Sequence, residues 1–561
     1  MVAGYKRGVG SWGLLLASVS AMIGSGWLLS PFYVAKLAGP ASIISWILGA
    51  LMIFFVAISY CELGTLIPVS GASTRIPQVT HGTFTSLFFG WITWFNLMTA
   101  PAIIVQAMIE YVGRYFPSLI DESHPMLHSL SLSGIIVAAT LMLVFSVINM
   151  YSIRLVARVN NVLSIPKMLI PIATAVCLIV YAFHPHNFTL ASSGGFMPGG
   201  WHGVFAGMAS GGILFAFNGF KQSIELAGEA QNPTRSIVIA VVGSIVISLI
   251  IYLLLQVAFI GAVSPKFITA GWRFLKFPGD SGPLVGLLAL TGITWMVVLL
   301  YIDVIVATGA AALVYTTSAA RTLYGLSGNR QLPAFLQELN GKGVPYKAVI
   351  VNFVLGMTFF MPFHGWLAMA KFMSSIVALS YITGPVCCLC LRYQLPELER
   401  KVKVPVVWLW SLIALTSCSL IVYWTGWEVV SRLGIAVVVS LAAYWIYRIF
   451  SSRPHGIKMH WPAAFWMLPY LLGLTLISYL GCYDGGCSLI LPGWDVVVIT
   501  LLSLLTLFLA VNCRASDAHV EETMRLLNQE AQTGEPMSIP SEENQGHDRL
   551  GPWGKTPKKT T

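Results

Sequence analysis

The sequence predicts an all-α protein that crosses a membrane many times. Of its 561 residues, 56% are hydrophobic and 10% charged, where a soluble globular protein carries about 25% charged residues. The mean hydropathy is +0.77. Apolar runs long enough to cross a bilayer, about 20 residues each, recur along the chain with basic residues between them. The net charge of +10 is spread over those connections rather than gathered in one patch. That distribution fits the positive-inside rule and argues against a nucleic-acid partner.

Lys6 and Arg7 precede an apolar run that continues past Leu29 without a small-residue cleavage site, so it reads as a retained first span rather than a signal peptide. Ten runs follow from there at about 11–36, 41–67, 84–113, 132–150, 156–182, 203–227, 236–262, 286–320, 347–363 and 367–391. Four more lie at about 405–424, 430–450, 462–481 and 493–513, giving about 14 spans. The run 286–320 is too long for one simple span and is expected to begin with an interfacial piece.

Charge orients the chain. Lys6, Arg7, Arg154, Arg158, Arg321, Arg330, Lys342, Lys347 and the basic residues from Arg392 to Lys403 fall on one side, against Lys36, Arg114, Lys266, Arg273, Lys276 and Arg432 on the other. The asymmetry predicts both termini inside. Cys482 and Cys487 then lie outside, where they form a candidate disulfide. Cys61, Cys177, Cys387, Cys388, Cys390 and Cys418 fall within spans and read as small buried apolar residues. From Arg514 the composition turns polar: "EETMRLLNQEAQ" reads as one short helix and "SEENQGHDRLGPWGKTPKKTT" as a disordered tail.

Two spans are interrupted. In "SAMIGSGWLLSP", Gly24-Ser25-Gly26 stands near the middle of the first, and each such glycine weakens a helix by about 1 kcal/mol relative to Ala. In "GGILFAFNGFKQSIELAGEAQNP", Phe217-Asn218-Gly219-Phe220 interrupts the sixth. Broken spans at corresponding positions of two five-span halves point to a transporter binding site. Freed amides at one half-helix end suit a carboxylate and freed carbonyls suit a cation; an α-amino acid offers both. The alternative is that the small residues merely let helices pack closely.

Several stretches resemble the amino acid–polyamine–organocation (APC) superfamily. "MIGSGWLLSP" resembles its first-helix signature, "ELGTLIPVSGAS" (Glu62–Ser73) the end of its second span, and "RVNNVLSIPKMLIPI" (Arg158–Ile172) its fifth helix. "FAFNGFKQSIELAGEAQNP" resembles its sixth helix and "VYTTSAARTLYGLSGNRQLP" (Val314–Pro333) the end of its eighth. Within that superfamily, "GSGWLLSPFYVAKLAGP" is similar to bacterial permeases that include aspartate–proton symporters. The resemblance implies a LeuT-type fold of two inverted five-helix repeats, residues 11–182 and 203–393, after an N-terminal stretch 1–10. Additional spans over 405–513 and a polar tail, 514–561, follow. It implies that Ile23, Gly24, Ser25 and Gly26 hold a substrate carboxylate. Phe215, Ala216 and Asn218 would then offer carbonyls to the amine, and Phe217 and Phe220 would gate or shape the pocket.

Lys167 lies nine residues beyond Arg158, about 13–14 Å along a helix and so near the membrane centre. An ionisable residue at that depth is a functional candidate by default, here for taking up and releasing a proton. The resemblance implies the same: a fifth-helix lysine replaces sodium in proton-coupled relatives. A structural lysine bonded to first-span carbonyls is the compatible alternative. Lys221 would meet an acidic substrate side chain or pair with Glu225. Glu225 and Glu229 suit a solvated or gate-pairing role, and Asp303 an outer gate or interfacial solvation. Lys371 near a span end should snorkel, while Glu62 and Glu110 should orient loops.

The expected function is secondary transport of an amino acid across a cell membrane by proton symport, with an amino acid exchanger as the alternative and a non-transporting sensor behind both. No enzyme activity and no cofactor or metal is expected, since the chain has no Walker sequence, no His-Glu-x-x-His and no nucleophile–base pair. A proton gradient rather than sodium would supply energy. The bilayer and the small substrate are the expected partners; monomer and homodimer stay open. A bacterial inner or plasma membrane is the expected location.

Overall fold

The computed structural model describes residues 10–69, 71–121, 129–151, 153–328, 331–450 and 458–533. Lys6, Arg7, Arg330, the tail beyond Thr533, and the side chains of Arg154, Arg158 and Glu229 lie outside the described residues. Helices make up nearly all of the fold; among the described residues, β pairing is confined to an isolated bridge between Ile120 and Leu130. That is the expected answer to a hydrocarbon surround, where every backbone amide and carbonyl must find a partner inside the protein.

Helices α1 (Ser11–Met22) and α2 (Gly26–Ala38) form the first run, broken between them. The helix α3 (Ser42–Leu66) follows, then α4 (Ala72–Gly113), α5 (Leu132–Tyr151) and α6 (Ile153–Ala182). The sixth run is cut into α7 (Gly200–Ser210), α8 (Ile213–Ala216) and α9 (Lys221–Glu225). Next come α10 (Pro233–Ala262), α11 (Pro283–Leu290), α12 (Thr294–Gly328), α13 (Tyr346–Met357), α14 (Gly365–Tyr381) and α15 (Thr383–Gln394). The chain continues through α16 (Val407–Trp424), α17 (Trp427–Phe450), α18 (Trp461–Ala464), α19 (Met467–Leu480), α20 (Trp494–Asn512) and α21 (Asp517–Thr533).

Eleven helical stretches among the described residues are long and apolar enough to cross a membrane, with α2–α3, α14–α15 and α18–α19 each counting as one continuous stretch. The sixth run is not among them because its breaks leave pieces too short, and the ninth, Tyr346–Phe360, is a shorter apolar helix. Residues 286–320 divide as their length demanded: α11 ends at Leu290 and α12 starts at Thr294. Residues 72–83, which fall between the second and third runs as read from the sequence, are instead helical. They run into the third span across Gly82, whose φ of 76° kinks α4 without ending it.

Helices α4 and α14–α15 form the interior of the bundle: 89% and 100% of their most apolar stretches are buried, against 22% for α17, which marks α17 as peripheral. Helices α12 and α14 pack on α4, α10 packs on α1, α3 and α6, and α16 joins α20 to α3 and α15.

Glu62, 1% exposed, ties three segments at the end of α3. Arg392 donates from Nε and Nη2 to its two oxygens (2.8 and 2.6 Å), Arg400 Nε stands 3.2 Å from Oε1, and the Val404 amide donates to Oε2 (2.7 Å). It thus holds the connection after α15, as expected of a loop-orienting acid. Lys371 does not simply snorkel: it pairs with Asp484 at 2.6 Å, joining α14 to the turn after α19. In that turn Cys482 and Cys487 stay separate thiols, Cys482 beside the Tyr423 hydroxyl and Cys487 beside that of Tyr479.

Removing one member of a buried ion pair strands its partner, typically at a cost of about 3–5 kcal/mol. Glu62→Ala should therefore lower stability by that order, leaving Arg392 and Arg400 without their shared anion. Thermal unfolding in detergent checks it, and an unchanged Tm would contradict the assignment.

Candidate functional site

The two interrupted helices cross at their interruptions. A Cβ on Gly26 would lie 2.8 Å from Ala216 Cβ, and one on Gly219 would lie 2.6 Å from the Met22 amide nitrogen. Each break therefore rests against the backbone of the other, at a separation only a hydrogen side chain allows. Beside Gly24, by contrast, a Cβ would meet nothing within 4 Å. The first amides of α2 have no intrahelical acceptor, and Ser25 at its N-cap does not cap them with its side chain.

The sixth run breaks at a place its sequence reading passed over. Gly212 has φ of 91°, between α7 and α8, a left-handed conformation available to glycine at little cost. The adjacent pair Gly211-Gly212 was the available signal. A Cβ here would meet Trp366 at 2.6 Å and Ser30 Oγ at 2.7 Å.

Two tyrosine hydroxyls hold the breaks together. Tyr252 on α10 shares its proton between the carbonyls of Met22 and Ala216 (2.9 and 3.0 Å). Tyr315 on α12 does the same for Ala21 and Asn218 (3.3 and 3.0 Å). The Ala216 and Asn218 carbonyls are thus engaged by tyrosines, so a substrate amine would have to share or displace them. The Asn218 side chain donates to Asn96 Oδ1 (3.2 Å) and accepts from the Tyr381 hydroxyl (3.1 Å).

The aromatic residues divide by the direction each turn of the break gives them. Phe217 points into the core, edge-on to Trp46 (5.9 Å) and Tyr252 (5.5 Å). Phe220 lies against Tyr381 (4.9 Å) and Tyr60 (6.0 Å). Phe215 stands edge-on to Trp366 at 6.1 Å. Trp366 donates from its indole to Ser25 Oγ (3.3 Å) and stacks on Tyr33 at 5.7 Å. Its backbone amide donates to Glu110 at 2.6 Å, and Gln106 donates to the same oxygen at 2.8 Å. Glu110 therefore fixes the start of α14 from inside the bundle instead of orienting a loop. Ile23, 1% exposed, lies in the helix 1 break itself.

Lys167 is fully buried and joined to the first helix two residues before its break. Its Nζ donates to Ser20 Oγ (3.2 Å) and lies 3.4 Å from the Ser20 carbonyl. The Ser20 hydroxyl passes its own proton to Asn160 Oδ1 (2.9 Å). Asp303, expected as an outer gate or as an interfacially solvated acid, is 3% exposed within α12 and so is not solvated. Glu225 does not bond to Lys221. Its carboxylate accepts from the Ser73 hydroxyl and amide, and its carbonyl from the Gly71 amide, pinning the end of α9 to the start of α4. Lys221 donates instead to the Ser380 carbonyl (3.4 Å) and lies over the rings of Tyr60 and Tyr381.

The structure thus gathers Ile23–Gly26, Phe215, Ala216, Asn218 and Phe220 around one crossing, with Lys167 and Asp303 behind the first break. Tyr252, Tyr315, Trp366, Tyr381 and Asn96 were not singled out from sequence. A tyrosine alone in an apolar run, as in "SLIIYLLLQ", was a readable signal, because polar groups at that depth turn inward to find partners. Among the described residues no group of three His, Cys, Asp or Glu is placed to hold a metal.

These features define a multi-pass helical membrane protein whose two broken helices meet at a buried polar crossing. The chain belongs to the amino acid permease family, whose description matches residues 9–446. It is 34% identical over 502 residues to the glutamate/serine transporter AimA of Bacillus subtilis (strain 168), covering 89% of this chain and 92% of that protein. It is 28% identical over 504 residues to the aspartate-proton symporter of the same organism, covering 89% and 95%. To the branched-chain amino acid permease BcaP, also of B. subtilis, it is 24% identical over 463 residues, covering 80% and 94%. It is accordingly a multi-pass cell-membrane protein of amino acid transport.

The two glycines make opposite demands. Gly212→Ala should destabilise by about 1–3 kcal/mol, through its left-handed backbone and the contact with Trp366. Gly24→Ala should stay within about 0.5 kcal/mol of the parent. Unfolding midpoints of the two variants in the same detergent test the contrast; equal losses would contradict it.

Proposed function

We propose that the chain is a secondary active transporter that carries an amino acid by proton symport and alternating access. The observation that carries this reading is the tie of Lys167 to Ser20, two residues from the break in the first helix. A protonated amine there donates to the first helix, and the buried carboxylate of Asp303 favours its charge from beyond ion-pair distance. A neutral amine loses the charge that drew both to it, so protonation at Lys167 is mechanically connected to the break. The names of the relatives, which include a proton symporter and transporters of amino acids, favour the same function.

In this reading the substrate carboxylate meets the amides of Ser25 and Gly26 at the start of α2 and the Ser25 hydroxyl, the Gly24 amide being held by the Met22 carbonyl (2.9 Å), and the α-amine turns to the carbonyls of the crossing. Trp366 and Phe215 cover the site. The pin from Glu225 to Ser73 closes the opposite way out, on the cytoplasmic side if both termini lie inside. Residues 11–182 and 203–393 act as two inverted repeats, with the first and sixth helices rocking against the rest. Exchange of one amino acid for another is the competing reading, and the same preparation distinguishes them.

In proteoliposomes, a pH gradient alone should drive accumulation of substrate into vesicles that hold none. A requirement for internal substrate would establish exchange instead. Lys167→Ala should abolish gradient-driven uptake while leaving substrate binding, and unchanged uptake would remove Lys167 from the mechanism. Ser25→Leu should lower binding at least tenfold, equivalent to about 1.4 kcal/mol, as followed by ligand-induced thermal shift.

A further inference from the structure

Lys221 is a buried cation with no carboxylate in contact among the described residues. It is 8% exposed, and among the described residues no carboxylate stands within 4.0 Å of it. Its hydrogen-bond partner is one carbonyl, that of Ser380, at 3.4 Å. That oxygen is also within reach of the Tyr60 hydroxyl at 3.3 Å. The ammonium otherwise faces two aromatic rings, Tyr60 at 5.1 Å and Tyr381 at 5.5 Å. The acid one turn further on, Glu225, is turned to Ser73 and the Gly71 amide.

Two buried acids show what full provision looks like. Glu62 has two arginines, and Glu110 has the Trp366 amide and Gln106. A charged side chain inside a membrane protein is costly unless it is paired or serves function, and carbonyl and ring contacts offset that cost in part. Lys221 therefore has room for a carboxylate in direct contact, which no acid among the described residues supplies, Glu225 acting on it only from beyond ion-pair distance.

Its position says where that charge comes from. Lys221 is the first residue of α9, directly after the break at Phe217–Phe220. The Tyr381 ring beneath its ammonium belongs to the residue whose hydroxyl donates to Asn218 inside that break. The ammonium and the crossing thus share a wall.

We propose that Lys221 receives a second carboxylate on the substrate, so that the transported molecule is a dicarboxylic amino acid. The assignment rests on reading the crossing as the amino acid site. There the α-carboxylate and α-amine are held at the two breaks, and the side-chain carboxylate completes the environment of Lys221. A neutral side chain leaves the ammonium unpaired, which is how a site built around a buried polar group discriminates against an analogue that lacks the matching group.

The test uses the full-length protein in detergent and in proteoliposomes. Aspartate, glutamate, asparagine, glutamine and serine are compared by thermal shift and by competition for uptake. Each acid should bind at least about tenfold tighter than its amide, the scale expected for losing one buried charge partner. In Lys221→Gln that ratio should fall to near one with serine binding retained, whereas Lys221→Arg should keep the preference for the acids. Wild-type protein that binds amides as tightly as acids would overturn the proposal without any variant, as would a Lys221→Gln protein that keeps the preference. Should another amino acid bind the wild-type protein while none of this panel does, the dicarboxylic assignment falls and the amino acid site stands; should none of the twenty bind, both readings fall.

Discussion

Everything about the centre of this protein follows from one demand: a backbone inside hydrocarbon must keep its hydrogen bonds within the protein. Two helices nevertheless surrender theirs at mid-run, and they do so against each other. Gly26 on Ala216 and Gly219 on the Met22 amide bring the two defects into contact, so that the repair of one is shared with the other. Tyr252 and Tyr315 complete it from α10 and α12. Neither break could be closed by its own helix, which makes the crossing a joint between helices and leaves the backbone there able to rearrange.

Rigid points surround that joint. Glu62 clamps the ends of α3 and α15 to the following connection, Glu225 pins α9 to the entry of α4, and Lys371 with Asp484 fastens α14 to a distant turn. Glu110 holds the first turn of α14 from α4. The charges not used as fasteners, Lys167, Asp303 and Lys221, stand close to the crossing. The fold thus separates ionic groups that lock from ionic groups left available for change.

Much of this was legible in the residues. Hydropathy located the helical runs because length and apolarity are what a bilayer selects, and Gly24-Ser25-Gly26 and Phe217–Phe220 betrayed the breaks through residues poor at sustaining a helix. Lys167 stood out by its depth in the fifth run, and the structure buries it. What escaped was set by tertiary geometry. Helix periodicity cannot say that Phe217 turns to Trp46 while Phe215 turns to Trp366, since a break scrambles the register that would have told them apart. Nor does an i, i+4 spacing reveal that Glu225 prefers Ser73 to Lys221: the choice depends on where α4 begins. Residues 72–83 fell between the runs because their polarity, buried against neighbouring helices, mimics solvent exposure. The tyrosines were passed over because a hydroxyl is inconspicuous beside a charge.

The tyrosine clamps have a consequence in simple donor arithmetic. Two hydroxyls, each with one proton, stand between four carbonyls, those of Ala21, Met22, Ala216 and Asn218. Each carbonyl oxygen has two lone pairs, so the crossing has acceptors in excess. It is held by shared protons rather than by a full set of bonds. An arriving ammonium brings three N–H groups into that deficit, and each one it gives to a carbonyl frees a tyrosine proton to commit to the other. On the proposed reading the substrate therefore tightens the joint it enters, and the empty carrier is the looser of the two.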